Sequence, residues 1–174
     1  MMKRFVLAAG FAVVALMVGH STVFAETPEE RSEQTVIKSR SFTIPKGQCP
    51  RLPANLEVQG LGLERSTTVI QSGEGDAGDG ETAGLRGSFV TRISGTATDN
   101  LGGSYTFSYQ LSSKRPIPIP GSGIVVDTFT LKGTGVANGL STFFRARVTF
   151  DSGFNFVSGE ILEQSGTPFG CDPL

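Results

Sequence analysis

Four charged residues in the second half of the chain have the types and placement for chemistry: Asp127, Arg145, Arg147 and Glu160. Asp127 shares its strand parity with Phe129 and Leu131, which turns it inward if those residues form a core. A buried carboxylate needs a partner, and Arg145 or Arg147 could supply one. Such a cluster at a barrel mouth could orient a polar or anionic ligand, or polarise a carbonyl for a cyclisation. Ordinary cross-strand ion pairs on a wet face explain the same residues. A second group is Glu74, Asp76, Asp79 and Glu81, within the glycine-rich stretch Ser72 to Gly84. Their oxygens suit calcium, but the spacing fits no calcium loop, and a solvated loop has the same composition.

Other chemistries are poorly supplied. The only histidine is His20, inside a leader that reads as a removable signal: Lys3 and Arg4, an apolar run from Phe5 to Val18, and Val23-Phe24-Ala25 as the cleavage context. A retained anchor is the competing reading, but the run is short for a bilayer span. Cleavage before Glu26 would leave no histidine for a Ser-His-Asp triad, a Cys-His pair or a histidine-ligated zinc. No glycine-rich strand-to-helix pattern announces a nucleotide cofactor, and no cofactor is expected. The chain after Ala25 carries 13 basic against 16 acidic side chains. It therefore lacks the positive excess that attracts nucleic acid or anionic lipid. No second apolar run follows, so no membrane span is expected after cleavage. The expected location is secreted or periplasmic. Export makes a disulfide between Cys49 and Cys171 the favoured reading over two free thiols.

The elements that would position these residues are strands. The clearest stretch is Leu85 to Leu111, two strands joined at Asp99 to Gly103. Tyr105, Phe107, Tyr109 and Leu111 share one parity, with Ser104, Thr106, Ser108 and Gln110 on the other. Ile124 to Gly135 and Thr142 to Phe150 alternate in the same way, and Phe154 to Glu163 closes the series. Upstream, residues 1–25 are the signal and 26–38 a flexible polar leader. A single domain spans 39–174, with strands at Arg40 to Ile44, Leu56 to Leu63 and Arg65 to Gln71. Pro116, Pro118 and Pro120 force an extended connection, from which Ile117 and Ile119 could fold back over a barrel end. Gly95, Thr96 and Asn100 recur as Gly133, Thr134 and Asn138, an echo that common turn chemistry also explains. The class is all-β: an antiparallel barrel of about eight strands, with a β-sandwich as the alternative.

Gly95-Thr96-Ala97-Thr98 followed by Leu101-Gly102-Gly103-Ser104-Tyr105-Thr106 resembles small secreted bacterial barrels of the allene oxide cyclase-like, calycin-shaped group. There a strand ending in Gly-Thr leads through a turn into a Leu-Gly-x-Tyr/Phe-Thr strand. The resemblance follows the rhythm of Gly87 to Glu163. It implies an antiparallel barrel with an apolar cavity and carries over no catalytic residue.

Taken together, these features point to a secreted, non-catalytic barrel that binds a small apolar or amphipathic ligand, or a protein partner. The alternatives are a cofactor-free isomerase, cyclase or lyase working in the cavity, and a structural, surface-associated protein. Aromatic residues on both strand faces also fit a homo-oligomer. The interior discriminates between the readings. An empty apolar cavity means ligand binding, a wet one with Asp127 and an arginine means chemistry, and one filled by phenylalanines means structure.

Overall fold

The computed structural model describes residues 31–72 and 84–166. Among the described residues, eight strands form one antiparallel sheet: β1 Arg31–Ile44, β2 Val58–Ser72, β3 Leu85–Asp99, β4 Ser104–Ser113, β5 Ile117–Ile119, β6 Gly121–Gly133, β7 Ser141–Phe150 and β8 Phe156–Gly166. The spatial order is β1-β2-β3-β4-β6-β7-β8, with short β5 pairing with β3. It is a meander of neighbours, the topology that hairpin connections produce.

Among the described residues the sheet does not close. β1 and β8 lie at opposite ends of the strand order and do not pair with each other. The expected barrel is therefore corrected to an open sheet, closer to the sandwich alternative, and the calycin-shaped resemblance falls with it. The inward positions of the two edges explain why. On β1, Ser32, Gln34, Val36 and Lys38 share the parity of Phe42 and Ile44, yet are exposed. On β8, the residues opposite the inward Val148 and Phe144 are Gly159 and Gln164. Inward Val36 of β1 and Phe156 and Ile161 of β8 remain exposed, so neither edge buries its inward side chains as the strands of a closed barrel do.

What the sheet does instead is curl over itself at one end. The Phe42 ring, from β1, meets Phe107 of β4 with centroids 4.8 Å apart, and Phe129 of β6 at 5.7 Å, both edge to face. This geometry suits the aromatic quadrupole. Phe129, Leu131, Ile44 and Val58 are 2% exposed or less at this end, and the core continues through Val125, Ile117 and Val148 toward the other. β2 makes the curl possible. A Cβ at Gly60 would collide with the Phe42 ring, and one at Gly62 would come within 2.7 Å of the Phe107 ring. The two strands expected over Leu56 to Leu63 and Arg65 to Gln71 are one continuous β2, whose glycines leave room for the rings.

Residues 31–38, expected to belong to a flexible leader, are paired strand, from Arg31 opposite Gln71 to Lys38 opposite Glu64. Ile117 and Ile119 are buried against the sheet, at 1% and 8% exposure. The alternating prolines still permit β5 to pair, with Ile117 opposite Gly87 and Ile119 opposite Leu85.

Candidate functional site: the concave face and the sheet edges

The concave face was the expected home of chemistry, and the structure divides the candidate cluster between two faces. Asp127 sits inward on β6, half-buried, and accepts a hydrogen bond from the Tyr109 hydroxyl at 3.0 Å. Its register partner on β7 is Phe144, so Arg145 and Arg147 fall on the opposite parity. There they pair with β8: Arg147 with Glu160 at 3.0 Å and Arg145 with Glu163 at 4.0 Å, all four more than two-fifths exposed. The arginines are thus brought to glutamates on the wet face, and Asp127 to a tyrosine within. Glu163 belongs to this group, although the sequence reading omitted it. Glu74, Asp76, Asp79 and Glu81 lie outside the described residues.

A buried carboxylate that sequence reasoning missed is Glu64, 5% exposed on the inward parity of β2. Its Oε1 faces Lys38 Nζ at 3.3 Å and accepts the Ser66 hydroxyl at 2.9 Å, while Arg40 Nε donates to Oε2. Burial pushes the Glu64 pKa up. Hydrogen bonds from Arg40, Ser66 and Lys38, with the Arg40 charge, outweigh it and hold the carboxyl below its ordinary range. The signal in the sequence was Lys38 and Arg40 spaced by two, on the parity of Phe42. It becomes informative only once Lys38 is known to stand opposite Glu64. The charges fix β1 to β2 at the position where the apolar core ends.

The second buried polar group is at the far turn. Asp99 Oδ1 accepts the amides of Leu101 and Gly103, each at 2.8 Å, and Oδ2 accepts the Tyr105 hydroxyl at 2.5 Å. The same hydroxyl accepts the Ala137 amide at 3.1 Å. Burial raises the Asp99 pKa, but the tyrosine hydroxyl and the turn amides more than offset it, so the carboxyl lies below its ordinary range. Burial and the adjacent carboxylate push Tyr105 up. The two echoed turns are therefore joined. Their asparagines also act alike, Asn100 Oδ1 accepting the Glu57 amide at 2.8 Å and Asn138 Oδ1 the Gly133 amide at 3.0 Å. A shallow cleft of about 370 Å³ lies between the turns, flanked by exposed Leu101 and Val136. The Asp99 oxygens beside it are already engaged in holding the turn.

The edges differ from the rest of the sheet. Every residue of β8 is exposed, including Phe156, Val157, Ile161 and Leu162, and so are the first nine residues of β1. A strand solvated on both faces gains little burial from its own sheet.

Cys49 is 2% exposed and disulfide-bonded rather than free. Its expected partner Cys171 lies outside the described residues, so no disulfide joins two described residues. Among the described residues no helix is long and apolar enough to cross a membrane.

The fold and its surfaces define an open, meandering antiparallel sheet with an aromatic interior. No family model matches the chain, and no curated protein or solved structure matches it either. The allene oxide cyclase-like assignment accordingly has no support from relatives, and the open sheet contradicts its shape.

Proposed function

We infer that the protein is an exported structural component of the cell surface or envelope, acting through its sheet edges and outer faces rather than by enclosing a ligand. One observation carries this reading: the concave side is occupied by a continuous buried core, with the rings of Phe42, Phe107 and Phe129 in contact at one end. Space that a barrel would offer to a ligand or substrate is taken by the core, which corrects the ligand-binding barrel and its cavity chemistry. The leader pattern in residues 1–25 supports export to the periplasm or beyond. Exposed apolar side chains on β1 and β8 support a role in which those strands are covered by another molecule.

Fractionation of the native cell, with N-terminal sequencing of the recovered chain, tests this reading. The expected result is a chain beginning near Glu26, retained on envelope or surface material and digested by protease added outside the cell or to the opened periplasm. An unprocessed chain in the cytosol would overturn it.

A further inference from the structure

We propose that the partner of the exposed edges is a second copy of this chain, with β8 of one copy pairing along β1 of the next. The inference rests on the structural role above and names its mode of assembly. Both strands are long, 14 and 11 residues, and both are last in the sheet order. Each therefore presents a row of backbone donors and acceptors that no described strand takes up, the usual template for strand addition.

Charge selects which edges meet. β1 carries Arg31, Lys38 and Arg40 against Glu33, a net +2, and β8 carries Glu160 and Glu163, a net −2. Lys38 and Arg40 share the single carboxylate of Glu64, leaving positive charge in excess on that edge. Pairing β1 with β1, or β8 with β8, sets like charges together. Pairing β8 with β1 sets opposite charges together and lets Glu160 and Glu163 interact with cations of the neighbour. The glutamate side chains already pair with Arg147 and Arg145 of their own sheet, but at 63% and 55% exposure each carboxylate can be shared with a cation of the neighbour. Such a contact joins different surfaces on the two copies. It repeats head to tail, giving a ring where the rotation closes and a filament where it does not. Pairing also covers Ile37 on one side and Ile161 and Leu162 on the other, exposed by 66%, 41% and 39% in the single chain.

Sedimentation velocity of the purified chain over a hundredfold concentration range, at low and high salt, reads this directly. The expected result is concentration-dependent growth beyond a dimer that weakens at least tenfold in apparent affinity at 1 M salt. Two variants sharpen it. Glu160→Lys with Glu163→Lys makes both edges positive, and Arg31→Glu with Ser39→Glu and Ser41→Glu makes both negative. All five positions are exposed, and circular dichroism checks that each variant folds. Each variant alone should remain monomeric, and an equimolar mixture should assemble again. A native chain that stays monomeric throughout, or single variants that assemble like the native chain, would overturn the proposal. Neither outcome touches the cellular location, which the fractionation experiment tests separately.

Discussion

Phe42 and Phe129 sit on strands that are not neighbours, β1 and β6, yet their rings meet edge to face with centroids 5.7 Å apart. That contact brings the first strand over the middle of the sheet and seals one end of the concave face. Phe129 is fully buried. Truncating it to alanine should cost about 3–5 kcal/mol, from lost transfer free energy and the cavity left behind. Urea unfolding followed by circular dichroism measures this. A loss below about 1 kcal/mol would mean that the rings do not hold the curl.

Gly60 makes the complementary prediction. The Phe42 ring occupies the place where a Cβ would stand. Gly60→Val should therefore displace the ring and destabilise the fold by about 1–3 kcal/mol, despite valine's preference for strands. Combining Gly60→Val with Phe42→Ala should recover part of the loss, because the smaller side chain vacates the space. Additive losses in the double variant would contradict this account.

At the far turn, Tyr105→Phe removes the hydroxyl shared by Asp99 Oδ2 and the Ala137 amide. Leaving buried groups without that partner should cost about 1–3 kcal/mol. The β3–β4 and β6–β7 turns should loosen together, read as faster amide exchange at Gly103 and Ala137. Loosening of one turn alone would show that the hydroxyl does not couple them.

Acid should destabilise the protein through two carboxylates. Asp99 and Glu64 both have folded-state pKa values below their ordinary range. Their contribution is present above the unfolded values, about pH 4, and is lost as pH falls through the folded ones. Melting temperature should therefore fall steeply below about pH 4. Asp99→Asn and Glu64→Gln should each flatten that fall while lowering stability at neutral pH. Unchanged acid profiles in both variants would remove these two groups as its source.

The wet-face pairs should matter little to the isolated chain. Arg147 and Glu160 are 54% and 63% exposed. Arg147→Ala should change stability by less than about 1 kcal/mol in thermal unfolding, as exposed ion pairs usually do.

Period-two alternation made β4, β6 and β7 legible, because one face of each is apolar and the other polar. Tyr105, Phe107, Tyr109 and Leu111 are all buried, as their shared parity implied. The same logic failed for residues 31–38, which are solvated on both faces and so carry no alternation. Closure was equally invisible: patterns within strands do not say whether the first and last strands meet. The candidate cluster failed on register. Asp127 stands opposite Phe144, which sends Arg145 and Arg147 to the other face. Their parity with Phe143 and Thr149 was readable, but its relation to Asp127 was not. Glu64 stayed hidden because a lone glutamate among glycines looks solvated until Lys38 and Arg40 are placed across from it.

Amide hydrogen exchange, at a concentration where the chain is monomeric, tests the open sheet most directly. In β1 the amides turned away from β2 should exchange fast while those bonded to β2 are slower, with the same alternation in β8 against β7. Continuous protection along β1 and β8, equal to that of β3 and β4, would show that the two edges are joined within one chain and would contradict the open sheet.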